Sequence, residues 1–211
     1  MKRFKARKWQ NEAIKRALND TSGGIFLESA GGRGKTLCAL EIAKQRKAKK
    51  VIVINNRLSI LEGWKKSIEE FGYDKVYQIE TMTDKTLAAT IKKGSRPACD
   101  VLILDEWQNI SSKNGVSAYE KGKRNYTIGL SATPIRKKGQ NFYPLVKTIW
   151  GRANPNRKFD WILAHGKVIY DAFAYSKTKW ADFRDYESYV SNLPNFMRYE
   201  EIEKIENAEE N

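Results

Sequence analysis

The chain is poor in the residues that build metal centres and covalent cross-links, with two cysteines and one histidine among 211 residues. Cys38 and Cys99 lie far apart and match no metal-ligand or redox spacing. That argues against a zinc site or thiol redox chemistry, and both cysteines read as small buried hydrophobes suited to a reducing compartment. The lone histidine, His165 in WILAHGKVIY, has no partner motif and reads as structural. No stretch approaches the roughly 18 consecutive apolar residues of a membrane helix. The charged N-terminus MKRFKARKWQ lacks the apolar run of a signal peptide. Internal repeats and Pro-, Gly- or Ser-rich linkers are also missing. These absences lead to the expectation of a soluble, intracellular, cytoplasmic protein with no membrane partner.

What is abundant is positive charge on a chain able to form a core. Hydrophobic residues make up 41% of the sequence and the formal net charge is +14. Residues 200–211 hold six glutamates and one lysine, a net of −5, so the other 199 residues carry +19. Such an excess on a folded body points to a polyanionic partner, most often nucleic acid.

Short β-branched runs alternate with helix-like stretches. The runs are GIFLE (24–28), VIVIN (51–55), KVYQI (75–79), VLILD (101–105) and YTIGLS (126–131). Continuous rather than alternating hydrophobicity suits strands covered on both faces, as in a parallel sheet. Helices are expected at 36–47, 57–71 and 84–93. In the second of these Leu58, Leu61, Trp64, Ile68 and Phe71 share one apolar face. The reading is an open α/β sheet with helices on both sides. From about residue 140 the sequence turns aromatic-rich and helix-biased. That stretch, 141–211, is expected to be a helical extension packed on the 1–140 domain, its aromatics serving as core.

After the first strand comes SAGGRGKT (29–36), opening a helix. Small residues and glycines let consecutive backbone N–H groups converge on a phosphate at a helix N-terminus. Gly31, Gly32, Arg33 and Gly34 form that loop. Lys35 can reach the β- and γ-phosphates of ATP, and the Thr36 hydroxyl can ligate Mg2+. The strict pattern has glycine where Ser29 stands. The run VLILDEWQ (101–108) ends a buried strand with two carboxylates, at the sheet edge where ligands bind in such folds. Asp105 is placed to hold Mg2+, Glu106 to polarise the attacking water as general base, and Gln108 to sense the γ-phosphate. Trp107 reads as packing.

Together GRGKT, DEWQ and LSATPI (130–135), spaced by about 70 and then about 25 residues, resemble motifs I, II and III of superfamily-two helicases. The chain looks most like the Swi/Snf-type translocases, which include small phage and bacterial members. KARKWQNEAIKRAL (5–18) resembles the family's opening segment, VIVINNRLSILEGWKKSIEEFG (51–72) its motif Ia with a trailing tryptophan, and IETMTDKTL (79–87) the segment holding motif Ib. LPNFMRYEEIEKI (193–205) resembles the segment closing the first lobe. DEWQ departs from the usual DEAH-like residues, and Ala132 stands where glycine is commoner. The resemblance implies a RecA-like P-loop NTPase fold and places Gln10 where the family reads adenine.

Nothing here resembles motifs IV, V and VI, which sit on a second RecA-like lobe. That lobe supplies an arginine finger, worth about 10³ to 10⁵ in rate where measured. The chain is therefore expected to be a first ATPase lobe, weakly active alone, whose second lobe is supplied in cis or in trans.

The resemblance also nominates Asn56, Arg57, Thr81 and Lys113 as contacts to the DNA backbone, with little sequence specificity. Plainer readings stand beside these. Asn56 and Arg57 can cap the helix at 57–71, Thr81 can start the helix at 84–93, and KQRKAKK (44–50) can be a solvated helix end. Arg136, Lys137 and Lys138 follow motif III and can reach DNA or the other lobe. Ser131 and Thr133 are expected to couple the nucleotide site to DNA by bonding to the Asp105–Glu106 strand end. Two other classes compete with the motor lobe. One is a nucleotide-dependent DNA-binding module that regulates another motor without turnover. The other is a kinase-like P-loop protein, which SATP and the Gln10 segment disfavour.

Overall fold

Four of the five apolar runs become strands where their composition puts them. They are β1 (Gly24–Glu28), β2 (Lys50–Asn55), β4 (Val101–Asp105) and β5 (Tyr126–Ser131). The remaining run is displaced. Helix α3 (Leu58–Phe71) stops at left-handed Gly72, and Tyr73–Lys75 make a single 3-10 turn. Strand β3 then runs Gln78–Thr83 instead of 75–79. The delay has a packing cause: Tyr73 and Tyr77 are buried, donating from their hydroxyls to Glu41 Oε2 (2.9 Å) and Leu40 O (3.1 Å). The structure, a computed structural model, describes residues 2–95, 97–110, 126–133, 146, 149–150, 166–170 and 178–208.

The main sheet has the order β3-β2-β4-β5-β1-β8, where β8 is Phe196–Met197, and every pairing in it is parallel. Its strands are uniformly apolar because each feeds two cores. Ile25, Leu27, Val51, Val53, Val101, Ile103, Ile128 and Leu130 face one cluster. That face is covered by α1 (Lys8–Asn19), α2 (Lys35–Gln45), α3 and the C-terminal α6 (Tyr199–Asn207). Phe26, Ile52, Ile54, Leu102 and Leu104 face the other, with Leu87 of α4 (Asp84–Lys92), Trp107, Trp150 and Val190 of α5 (Tyr186–Ser191). Gly129 lies on this second face, where a Cβ would come within 2.4 Å of the Phe26 ring. Burying this much apolar surface on two faces is the main driving force for the fold.

Within 141–211, several described residues are buried against the main sheet. Val146, Ile149 and Trp150 are buried in the second cluster, Trp150 Nε1 donates to Gly24 O at 3.1 Å, and Phe196 stacks on Phe26 at 4.8 Å. The described part is only partly helical, however. Strands β6 (Gly166–Tyr170) and β7 (Thr178–Phe183) pair antiparallel as a separate two-stranded sheet, and β8 joins the main sheet beside β1. Pairing with β1 recruits only two residues of β8, too short a run to stand out in sequence. Among the described residues, no helix is long and apolar enough to cross a membrane.

Candidate nucleotide-binding site

All strands of the main sheet point the same way, so the ends of β1, β4 and β5 lie along one edge. Register confirms this: Asp105 pairs with Leu130, and Glu28 with Ser131. From the end of β1 the chain enters the loop 29–34 and then α2. Gly32 (φ 74°) and Gly34 (φ 86°) are left-handed, a conformation that disfavours any side chain. Gly34 has a second constraint, since a Cβ there would meet Gln10 Nε2 at 2.7 Å.

Lys35 opens α2 and is buried. Its ammonium donates to Ser29 O and, at 2.9 Å, to Ala30 O, folding back over the loop. Burial lowers its pKa, and the charges of Glu106 and Asp105 oppose that shift. A buried cation satisfied only by carbonyl oxygens is suited to receive a phosphate. Thr36 follows, half-buried. Asp105 ends β4, also buried; burial raises its pKa, with hydrogen bonds from Trp64 and Asn55 and the charge of Lys35 pulling the other way. Thr36 and Asp105 offer hard oxygen donors, the chemistry Mg2+ takes when it also holds substrate phosphates.

Glu106 leaves the strand in a left-handed conformation (φ 47°, ψ 51°), rare for a residue with a Cβ. Its Oε2 accepts from Gln108 Nε2 at 2.5 Å. Gln108 Oε1 in turn accepts from Ser131 Oγ at 2.5 Å, and Thr133 N donates to Ser131 Oγ at 2.9 Å. Thr133, Ser131 and Gln108 thus form one hydrogen-bonded chain to Glu106.

A family described as Type III restriction enzyme, res subunit, matches residues 3–136. The chain belongs to this family. Its RecA-like fold is that of a superfamily-two helicase lobe, as the motifs implied. Among solved structures it is similar to the Sulfolobus solfataricus SWI2/SNF2 ATPase core in complex with dsDNA. That match has a TM-score of 0.67 and 20% identity, over 93% of this chain and 44% of that one. It is also similar to a hypothetical ATP-dependent RNA helicase from Sulfolobus tokodaii (TM-score 0.55, 16% identity, 72% of this chain and 52% of that one). A third is the Pyrococcus furiosus Hef helicase domain (TM-score 0.54, 15% identity, 68% and 36%). The chain therefore spans about half or less of each of these relatives. No curated protein matches it.

In this helicase lobe the remaining nominated residues fall into groups. Gln10 is buried in α1 against the phosphate loop, its Oε1 accepting from Arg7 N (2.8 Å) and its Nε2 donating to Gly34 O (3.0 Å). Arg33 is turned toward the C-terminal helix, paired with Glu203 at 2.7 Å. Asn56 and Arg57 follow β2. Arg57 is exposed and sits at the N-cap of α3 without a side-chain capping bond, while the Asn56 Oδ1 is buried with no hydrogen-bond partner among the described residues. Thr81 lies inside β3 opposite Val53; the helix start is capped instead by Thr83, which accepts from Thr86 N at 3.1 Å. In the basic run 44–50, Lys44 pairs with Glu41, Arg46 stacks on Tyr126 and Lys50 pairs with Glu80, which supports the helix-end reading. Lys113, Arg136, Lys137, Lys138 and His165 lie outside the described residues.

Sequence reasoning passed over Asn55 and Trp64, both of which bond to Asp105. For Asn55 a signal existed. VIVIN and VLILD are neighbouring parallel strands, and each ends its buried run with a polar side chain.

Glu28 ends β1 immediately before the loop 29–34, with Arg198, Glu200 and Glu187 acting on its charge. Burial pushes its carboxyl up to about 7, against the pull of Arg198. The folded state therefore keeps a proton that the unfolded chain releases near 4.5, so stability falls as pH rises between those values. Glu28→Gln should raise the melting temperature at about pH 8 and change it little at about pH 5. Equal effects at both pH values, read by thermal unfolding, would refute the assignment.

Proposed function

We propose that this chain is the first ATPase lobe of an ATP-dependent DNA helicase or translocase, residues 1–140 forming the nucleotide-binding part. The observation that carries this reading is Lys35, a buried cation held by loop carbonyls, with Asp105 and Glu106 near enough to act on its charge. The loop 31–36 wraps the phosphates of ATP, and Lys35 exchanges its carbonyl partners for phosphate oxygens. Gln10 reads the adenine. Thr36 and Asp105 would hold a Mg2+ bound with ATP, which would supply positive charge against the negative charge developing in phosphoryl transfer. Glu106 accepts the proton of the attacking water. Gln108, Ser131 and Thr133 carry the state of that site toward the DNA-facing loops.

DNA is the proposed partner, bound through its backbone by Asn56, Arg57, Thr81 and Lys113. The +14 charge and the dsDNA held by the SWI2/SNF2 core support this. A second RecA-like lobe, in cis or in trans, is proposed to complete the transition state. Affinity for duplex DNA should fall steeply with salt, with a log–log slope of roughly −0.9 per neutralised phosphate. A flat response would remove the basic face as the contact.

Steady-state ATP hydrolysis with and without duplex DNA, beside Lys35→Ala, tests the whole reading. Slow, Lys35-dependent turnover with little DNA stimulation is the result expected of an isolated first lobe. Rapid DNA-stimulated turnover would make the chain a complete motor and overturn the need for a second lobe. Nucleotide binding with no Lys35-dependent turnover under any condition would instead favour the regulatory module.

A further inference from the structure

Two buried donors converge on a single carboxylate oxygen at the end of β4. The Trp64 indole Nε1–H, from α3, donates to Asp105 Oδ2 at 2.8 Å. Asn55 Nδ2, at the end of the neighbouring β2, donates to the same Oδ2 at 3.2 Å and to the Asp105 carbonyl at 3.1 Å. Trp64 is 2% exposed and Asn55 0%.

Packing alone does not ask for this arrangement. The apolar face of α3 needs a large ring at position 64, which phenylalanine would also supply. A buried indole N–H needs some acceptor, and a backbone carbonyl would serve. Here the acceptor is the carboxylate of the nucleotide site, and the second donor comes from a different element. With both side-chain donors on Oδ2, the carboxylate cannot swing about its Cβ–Cγ bond without breaking two buried hydrogen bonds. Its other oxygen, Oδ1, is left as the one available to a cation.

We propose that Trp64 and Asn55 are positioning residues for the metal-binding carboxylate, locking Asp105 with Oδ1 presented to Mg2+. The inference rests on the reading of Asp105 as the Mg2+ ligand. Outer groups that orient a metal ligand commonly govern metal affinity about 10- to 100-fold.

The test is a Mg2+ titration of fluorescent ATP-analogue binding by the full chain. Trp64→Phe should raise the Mg2+ concentration at half-effect by on the order of tenfold, leaving affinity in metal-free buffer unchanged. Asn55→Ala should shift it in the same direction. A purely structural role would lower the melting temperature and leave the Mg2+ midpoint where it is, and that outcome overturns the proposal. Should Trp64→Phe fail to fold, Asn55→Ala, which leaves the indole in place, decides the matter by the same midpoint. Asp105→Asn separates the two levels. If it shifts the midpoint and neither donor substitution does, the positioning inference alone falls. If it leaves the midpoint unchanged, the metal assignment falls and takes the inference with it.

Discussion

Lys35→Ala should weaken nucleotide binding by roughly 10²-fold, about 3 kcal/mol, while leaving the fold intact. Its ammonium is the one basic group that the structure buries within the phosphate loop, held over the loop by the Ser29 and Ala30 carbonyls. Those bonds are replaceable by phosphate oxygens, which bear charge and so bind an ammonium more strongly than carbonyls do. The charge itself acts on stability with the opposite sign. Burial lowers the Lys35 pKa below the ordinary 10.5, so in the pH interval between the folded value and 10.5 the unfolded chain binds more protons than the folded one. Stability contributed by this residue thus rises with pH, and at neutral pH the charged lysine opposes folding. Against that relief stands the loss of the bonds to Ser29 O and Ala30 O, so the substituted protein should melt close to the parent at neutral pH. Calorimetric titration with ATP, paired with thermal unfolding, reads both quantities. Unchanged affinity would sink the site assignment, and a large drop in melting temperature would mean the loss of binding came from misfolding.

The parts of this site that were legible in the sequence share one property: they depend on neighbours in the chain. The loop 29–36 is a local device, its glycines and its lysine fixed by the geometry of a strand entering a helix. The strands announced themselves because each serves two apolar cores, so Val51 to Ile54 and Val101 to Leu104 carry no polar residue. What stayed hidden depends on residues brought together by folding. Trp64 was visible only as an apolar position on α3, and nothing in its periodicity says that its N–H meets a carboxylate 41 residues away. The acidic tail is similar. Its glutamates counted in sequence as a local net charge, but in the structure Glu201 pairs with Arg16 and Glu203 with Arg33, and Lys8 Nζ donates to Ala208 O. The helix that closes the chain is thereby docked on α1 and the phosphate loop. These pairs are part-exposed and worth about 0–1 kcal/mol each, so the burial of Ile202 anchors that docking more than the charges do.

Glu106→Gln should reduce ATP hydrolysis by about 10² to 10⁴ while preserving nucleotide binding. The substitution is close to isosteric, and the geometry that presents the side chain survives it. Glu106 owes its direction to a left-handed backbone at the end of β4, which glutamine can adopt at the same cost. The contact with Gln108 Nε2 needs only an acceptor, and the glutamine Oε1 supplies one. The chain onward through Ser131 and Thr133 therefore persists, and what disappears is the capacity to take a proton from water. Binding should hold or improve, for an electrostatic reason specific to this site. Glu106 is the leading charge that favours the ammonium form of Lys35, and the same negative charge repels an incoming phosphate. Removing it makes the loop a better anion site even as it stops the reaction. Single-turnover hydrolysis beside equilibrium binding of the same nucleotide distinguishes the two effects. Hydrolysis at the parent rate would put the general base elsewhere, and weaker binding would mean that Glu106 serves the architecture of the loop rather than the chemistry.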